Sequence, residues 1–262
     1  MIKCIALDFD GTVANYTPGK PRLSAALFEV LERFIEKGGQ AGIVTGRDLG
    51  SLRDAVTSGG FQWQQPFPSF AGVSESYLIL PGDIFADRNR QTKERIMLTN
   101  RILLGCAFQW LDMLGETGFS VTGWKISHDY SLEYAFGDES EARRAEILIR
   151  EKADGAVPGC RVHRNCRLVS VMDSLSEKGR LVAEAADYFA LSPYEVLVIG
   201  DSGNDASMFD RKYGFLCGTP ENGDTEIMET VLVRGGVIGR GNAYDGVLDI
   251  FREYKKQGLL EL

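Results

Sequence analysis

Asp8-Phe9-Asp10-Gly11-Thr12 stands directly after the apolar run Ile5-Ala6-Leu7. Two carboxylates one residue apart repel each other, and a fold accepts them where something positive lies between. A hard cation such as Mg2+ fits that need, because it takes oxygen ligands from carboxylates and from a substrate phosphate. Gly11 and Thr12 suit a turn that exposes backbone N–H groups. The same residues also make an ordinary acidic surface turn, and the segment alone does not separate the two readings.

Three further segments carry residues of related chemistry. Thr45 follows Gly42-Ile43-Val44, and its hydroxyl with the N–H groups of Gly46 and Arg47 opens a helix. That is a ready anion site, or a plain N-cap. Lys178 begins a helix within Ser176-Glu177-Lys178-Gly179, where a lysine slightly opposes the helix dipole. It reads as a solvated surface lysine or as an ammonium that holds a phosphate and a carboxylate together. Gly200-Asp201-Ser202-Gly203-Asn204-Asp205 follows the apolar run Val196-Leu197-Val198-Ile199. An N-capping turn explains one Asp there, but explains two Asp and an Asn less well. Cys160, His163 and Cys166 match no zinc spacing and lack a fourth ligand, so they read as strand residues.

The elements that must position these groups alternate. Residues 2–7 predict a short buried strand, 23–37 a helix with apolar residues at Leu27, Val30, Leu31, Phe34 and Ile35, 40–44 a strand and 48–57 a helix. This β-α-β-α start implies a parallel sheet, whose ligands bind outside the carboxyl ends of the strands. Residues 61–68 read as a loop, with short strands near 69–71 and 77–80. The middle differs: a helix over 91–114, an antiparallel pair over 119–127 and 132–136, a charged helix over 139–152, and strand character over 161–172. The first rhythm then resumes with a helix over 177–189, a strand over 195–199, a loop over 200–205, a strand near 215–217 and a helix over 244–254. The expected fold is therefore α/β, a Rossmann-like parallel-sheet core of residues 1–82 and 170–262 with an inserted α+β domain over 83–169.

Composition bounds the function. A chain of 262 residues suits one large domain or a core with an insertion. Its 44% hydrophobic and 25% charged residues are ordinary for a globular protein. A net charge of −8 argues against nucleic acid as the main partner. A small anionic substrate stays compatible, because a bound metal reverses the local sign. No apolar run approaches the ~20 residues needed to span a bilayer, and Met1-Ile2-Lys3-Cys4 enters the first strand without the shape of a signal peptide. Five scattered cysteines fit reduced thiols better than a disulfide framework. The expectation is a cytoplasmic protein with no membrane partner and an open oligomeric state.

In this order, D-x-D-G-T, a strand-end Thr, a Lys and G-D-x-x-N-D resemble the four motifs of the haloacid dehalogenase superfamily of aspartate-nucleophile phosphatases. The likeness covers roughly residues 1–80 and 170–250, and the insert resembles the C2-type cap of the Cof-like and sucrose-phosphatase-like branches. Val13, where the family often has Leu, and Gly218-Thr219-Pro220 depart from the pattern away from the catalytic set. The resemblance implies that Asp8 is the nucleophile and that Asp10 is the general acid and base. It implies Mg2+ on Asp8, the Asp10 carbonyl and Asp201, with Asn204 and Asp205 supporting that shell. Thr45 and Gly46 would hold phosphate oxygens, and Lys178 would offset charge on Asp8 and the phosphoryl group.

Arg47 reads as a substrate contact or as a partner of Asp48 or a cap carboxylate. Lys125, with Trp124, His128 and Tyr130, stands as a specificity candidate in the insert. The expected partner is a small phosphorylated metabolite, a sugar or polyol phosphate, under a lid formed by the insert. A phosphomutase, using Arg143, Arg144, Arg161 and Arg164 for a second phosphate, and a non-catalytic sugar-phosphate-binding regulator are the alternatives.

Overall fold

A computed structural model describes residues 1–17, 20–63, 67–82, 87–127 and 131–262. The chain divides into two compact units, Met1–Ile84 with Lys178–Leu262, and Phe85–Glu177. In the first, β1 (Cys4–Leu7) is followed by a hairpin of β2 (Asn15–Thr17) and β3 (Lys20–Arg22), then by α1 (Ala25–Glu36), β4 (Gln40–Val44), α2 (Leu49–Ser58), β5 (Phe70–Val73) and β6 (Tyr77–Ile79). The second contains α3 (Asp87–Glu116), β7 (Val121–Ser127), β8 (Ser131–Phe136), α4 (Glu139–Ala156), β9 (Cys160–Asn165) and β10 (Leu168–Asp173). The first then resumes with α5 (Lys178–Tyr188), β11 (Val196–Ile199), a 3-10 helix (Gly203–Phe209), β12 (Leu216–Pro220), α6 (Thr225–Val233), β13 (Val237–Gly239) and α7 (Tyr244–Lys256).

Among the described residues of the first unit, seven strands form one sheet in the order β13-β12-β11-β1-β4-β5-β6. Neighbours are parallel except for β5 and β6. The chain leaves β1 toward β4 on one side and comes back to β11 on the other, so β1 is the switch point of the sheet, the place where open α/β sheets bind their ligands. Leu7 pairs with both Ile43 and Ile199. That register brings Asp8, Thr45 and Asp201, which follow the three strands, out along a single edge.

β1 and β11 are buried at every position, because helices cover both faces of the sheet and no polar alternation is needed. Ile5, Leu7, Leu197 and Ile199 join Leu27 and Leu31 of α1, Leu52 of α2 and Ile250 of α7 in one core. Cys4, Ala6, Val196 and Val198 face the other way, onto Leu181 and Val182 of α5 and Ile227 of α6.

The second unit is α+β, with its described strands in the order β7-β8-β10-β9 and every neighbouring pair antiparallel. Leu103, Ala107 and Trp110 of α3 and Ala145 and Ile149 of α4 bury against Tyr134, Val169 and Val171. The Tyr134 hydroxyl donates to the Ala107 carbonyl at 2.7 Å.

The expected boundary after Val169 falls inside β10, whose hydrogen bonds to β8 and β9 keep residues 170–173 in this second unit. The expected boundary at residue 83 lies outside the described residues. The strand character expected over 161–172 is carried by two strands, β9 and β10, turned at Cys166 with φ 47°. The β2–β3 hairpin, α6, β13 and the 3-10 helix after Ser202 are further additions to the expected elements. No helix among the described residues is long and apolar enough to cross a membrane.

Candidate active site

Asp8 leaves the end of β1 with its backbone N–H donating to the Ile199 carbonyl at 2.8 Å and its side chain buried. Lys178, the first residue of α5, is fully buried. Its Nζ donates to Asp8 Oδ1 and to Asp205 Oδ1, each at 2.6 Å. The other Asp205 oxygen accepts the N–H groups of Asp201 at 2.9 Å and Ser202 at 3.0 Å. Asp205 therefore starts the 3-10 helix and fixes the backbone that presents Asp201. The Asp201 carboxylate accepts the Thr12 hydroxyl at 3.0 Å. Asn222, which no sequence signal marked, donates to the Gly11 carbonyl at 2.9 Å and stands 3.4 Å from Asp201 Oδ2. Gly11 has φ +83°, and a Cβ there would lie 2.2 Å from Asp201 Oδ2. Only glycine lets the first acidic loop and the last one approach this closely.

Asp8, Asp201 and Asp205 offer carboxylate oxygens within 4.8 Å of one another. Burial pushes the Asp8 carboxyl well above the usual range, and repulsion from Asp205 and Asp201 adds to the rise that Lys178 opposes. Burial, then Asp205, pushes Asp201 up to about 7. Burial works against the charge of Lys178, but Asp205, Asp8 and Glu75 outweigh it and hold the ammonium protonated. One ammonium among these carboxylates leaves a surplus of negative charge made of oxygen donors. That donor set fits a hard dication. Of the three, Asp205 is the most heavily engaged, with Lys178 on one oxygen and two backbone N–H groups on the other, whereas Asp201 meets the Thr12 hydroxyl at 3.0 Å and Asn222 at 3.4 Å.

Arg47, expected either at the substrate or on Asp48 or a cap carboxylate, is engaged with a different carboxylate, Asp10. Its Nε and Nη2 each donate at 2.8 Å to the two Asp10 oxygens, a bidentate fork. The Tyr16 hydroxyl, from the β2–β3 hairpin, donates to the same carboxylate, and Arg47 Nη2 lies 2.9 Å from that hydroxyl. Ser51 accepts from Arg47 Nη1 at 3.0 Å, and the guanidinium lies 5.6 Å from the Phe9 ring centre. The partner Tyr16 was not legible before the hairpin was known.

Thr45 is buried directly after β4, with its N–H donating to the Gly72 carbonyl at 2.8 Å. The N-cap of α2 is Asp48, whose side chain accepts from Ser51 N–H at 2.9 Å, so Thr45 belongs to the loop and not to the cap. Its hydroxyl accepts the Arg47 N–H at 3.2 Å. A Cβ on Gly46 would lie 3.3 Å from Glu75 Oε1 and 3.8 Å from Asn204 Nδ2. Asn204 donates to Glu75 Oε1 at 3.1 Å and accepts from the Ser202 hydroxyl at 2.7 Å. Glu75 is buried in this site and was absent from the sequence expectation.

In the second unit, Lys125 of β7 pairs with Glu133 at 3.4 Å, and Trp124 meets Phe108 edge-on at 5.1 Å between ring centres. His128 and Tyr130 lie outside the described residues.

This arrangement is that of a known fold. The structure resembles the sucrose-phosphatase from Synechocystis sp. PCC6803, solved with sucrose and phosphate, with a TM-score of 0.71, 15% identity, and coverage of 97% of this chain and 99% of that one. A phosphatase of the haloalkanoate (HAD) enzyme superfamily from Bacteroides thetaiotaomicron gives 0.65 and 15%, covering 99% and 96%. A HAD subclass IIB sugar phosphatase gives 0.62 and 14%, covering 98% and 100%. The fold is thus that of the haloacid dehalogenase-type phosphatases with an inserted domain. In sequence, 94 residues are 31% identical to the phosphoserine phosphatase of Archaeoglobus fulgidus, over 36% of this chain but only 22% of that protein. No family model matches the chain.

Proposed function

We propose that this chain is a Mg2+-dependent phosphomonoester hydrolase acting on a small phosphorylated metabolite, a sugar phosphate, through an aspartyl-phosphate. One observation carries the reading: Asp8, at the switch point of the sheet, is held by the buried ammonium of Lys178 while Asp201 stands beside it. Asp8 has a carboxylate oxygen to attack phosphorus, Lys178 lowers the repulsion between the two anions, and the Thr45–Arg47 loop is the phosphate cradle. Asp8, Asp201 and the Asp10 carbonyl, supported by Asn204 and Asp205, would hold Mg2+, which would supply charge neutralisation for the phosphoryl oxygens.

In the first step an Asp8 oxygen bonds to phosphorus, the ester P–O bond breaks, and Asp10 gives its proton to the leaving alcohol. In the second, the Asp10 carboxylate takes a proton from water, the water oxygen bonds to phosphorus, and the Asp8–phosphorus bond breaks. Arg47 and Tyr16, as partners of Asp10, orient the group that moves these protons. The sucrose-phosphatase and sugar-phosphatase likenesses support a sugar phosphate as substrate class. Substrate choice is assigned to the inserted unit, with Lys125 the first residue to substitute. A panel of phosphorylated metabolites, read by phosphate release with and without Mg2+, tests the function. Isomerised sugar phosphate without free phosphate would make the chain a mutase, and tight binding without either product would make it a binding protein.

A further inference from the structure

β5 and β6 are joined by a turn closed by the Ser76 N–H donating to the Val73 carbonyl at 3.0 Å. Its two central residues, Ser74 and Glu75, both have φ 52°. Left-handed backbone at both central positions is the condition of the type I′ turn, where Asn-Gly is the favoured pair. A glutamate there is crowded by its own Cβ against the following carbonyl. Strained non-glycine residues persist where the surroundings over-determine them, and such places cluster at functional sites.

Here the surroundings are the candidate active site. The Glu75 N–H donates to the Thr45 carbonyl at 3.0 Å, and the Ser74 N–H donates to the Arg47 carbonyl at 2.8 Å. The turn thus grips both ends of the Thr45-Gly46-Arg47 loop. Glu75 is 4% exposed, and its carboxylate accepts from Asn204 at 3.1 Å and acts on Lys178. One residue with an unfavourable backbone therefore ties the loop after β4 to the loop after β11.

We propose that Glu75 is a positioning residue for phosphoryl transfer, kept in a strained turn because its carboxylate orients Asn204 against the phosphate loop. The proposal rests on the phosphatase reading above. Ser74→Asn combined with Glu75→Gly installs the favoured turn pair and removes the carboxylate. The double variant is expected to melt a few degrees higher than the native protein and to lose roughly ten- to a hundredfold in kcat. Glu75→Ala, which keeps the strain, is expected to lose kcat to the same degree without the gain in melting temperature. Glu75→Gln retains an acceptor for Asn204 and is expected to recover most of what Glu75→Ala loses.

A double variant with native kcat, or Glu75→Gln as impaired as Glu75→Ala, would overturn the positioning role. A double variant that melts lower would overturn the strain. Calorimetric binding of inorganic phosphate with Mg2+, weakened in Glu75→Ala and restored in Glu75→Gln, reads the same role without turnover. If the native protein hydrolyses no phosphate ester, the phosphatase reading fails, while these binding and melting measurements still decide the role of Glu75.

Discussion

Lys178 and Asp8 are 170 residues apart in sequence and meet at 2.6 Å inside the protein. The same ammonium also meets Asp205 at 2.6 Å, and all three side chains are shut off from solvent. A lysine with no exposed surface is tolerated only when its charge is answered, and here two carboxylates answer it. Lys178→Met leaves those two anions without their cation. The expected loss is about 3–5 kcal/mol of stability, together with at least about a hundredfold in turnover. Urea unfolding and phosphate release measure the two, and a variant that is native in both would remove Lys178 from the account.

The acidic cluster ties stability to pH and to metal. Asp201 stands at about 7 against an ordinary 3.8, and Asp8 is shifted in the same direction. A carboxyl whose folded value lies above its unfolded one contributes stability that is complete below 3.8 and is lost as pH rises through about 7. These groups therefore weaken the metal-free protein as pH rises across that window. Mg2+ competes with the protons and binds the ionised form, so its stabilisation grows over the same window. At a hundredfold excess over Kd it is worth about 2.7 kcal/mol. Thermal melts near about pH 5 and about pH 8, with and without Mg2+, should show the larger Mg2+ shift at the higher pH. Equal shifts would contradict the metal assignment.

The Arg47–Asp10 fork predicts a dependence on the leaving group. If Arg47 and Tyr16 aim Asp10 at the departing oxygen, their loss matters most when that oxygen needs a proton. Arg47→Ala is expected to slow an alkyl phosphate by about a hundredfold and p-nitrophenyl phosphate far less, with Tyr16→Phe following the same pattern more weakly. Equal losses on both esters would make Arg47 a phosphate ligand and not a partner of the acid.

Gly11 should tolerate no side chain. A methyl group would meet Asp201 Oδ2 at 2.2 Å on a backbone with φ +83°. Gly11→Ala is expected to cost more than about 1 kcal/mol and to weaken Mg2+ binding, both readable from melts with titrated Mg2+. Unchanged Mg2+ dependence would show that this loop does not hold Asp201 in place.

What the sequence disclosed follows from what each feature depends on. β1, β4 and β11 were legible because buried parallel strands are apolar runs, and Asp8, Thr45 and Asp201 were legible as polar residues just past them. Lys178 was legible only through its company, since a helix-start lysine alone reads as surface. Arg47 was singled out, but its pairing with Asp10 and Tyr16 was not, and the second depends on where a three-residue strand carries Tyr16. Glu75 was hidden because Ser-Glu does not announce a left-handed turn as Asn-Gly would. Asn222 was hidden because its place beside Gly11 is made by the turn after β12, far along the chain. The insert's second boundary, expected after 169, cut through the 161–172 strand stretch, whose β10 pairs with β9 as far as Asp173.

The central claim is that Asp8 is the atom source of the first bond to phosphorus. Its most direct test is the rate of Mg2+-dependent phosphate release from p-nitrophenyl phosphate by the native protein and by Asp8→Asn, with both shown to be folded by their melts. The account predicts release by the native protein and none measurable above background in Asp8→Asn. Near-native release by the variant would contradict it.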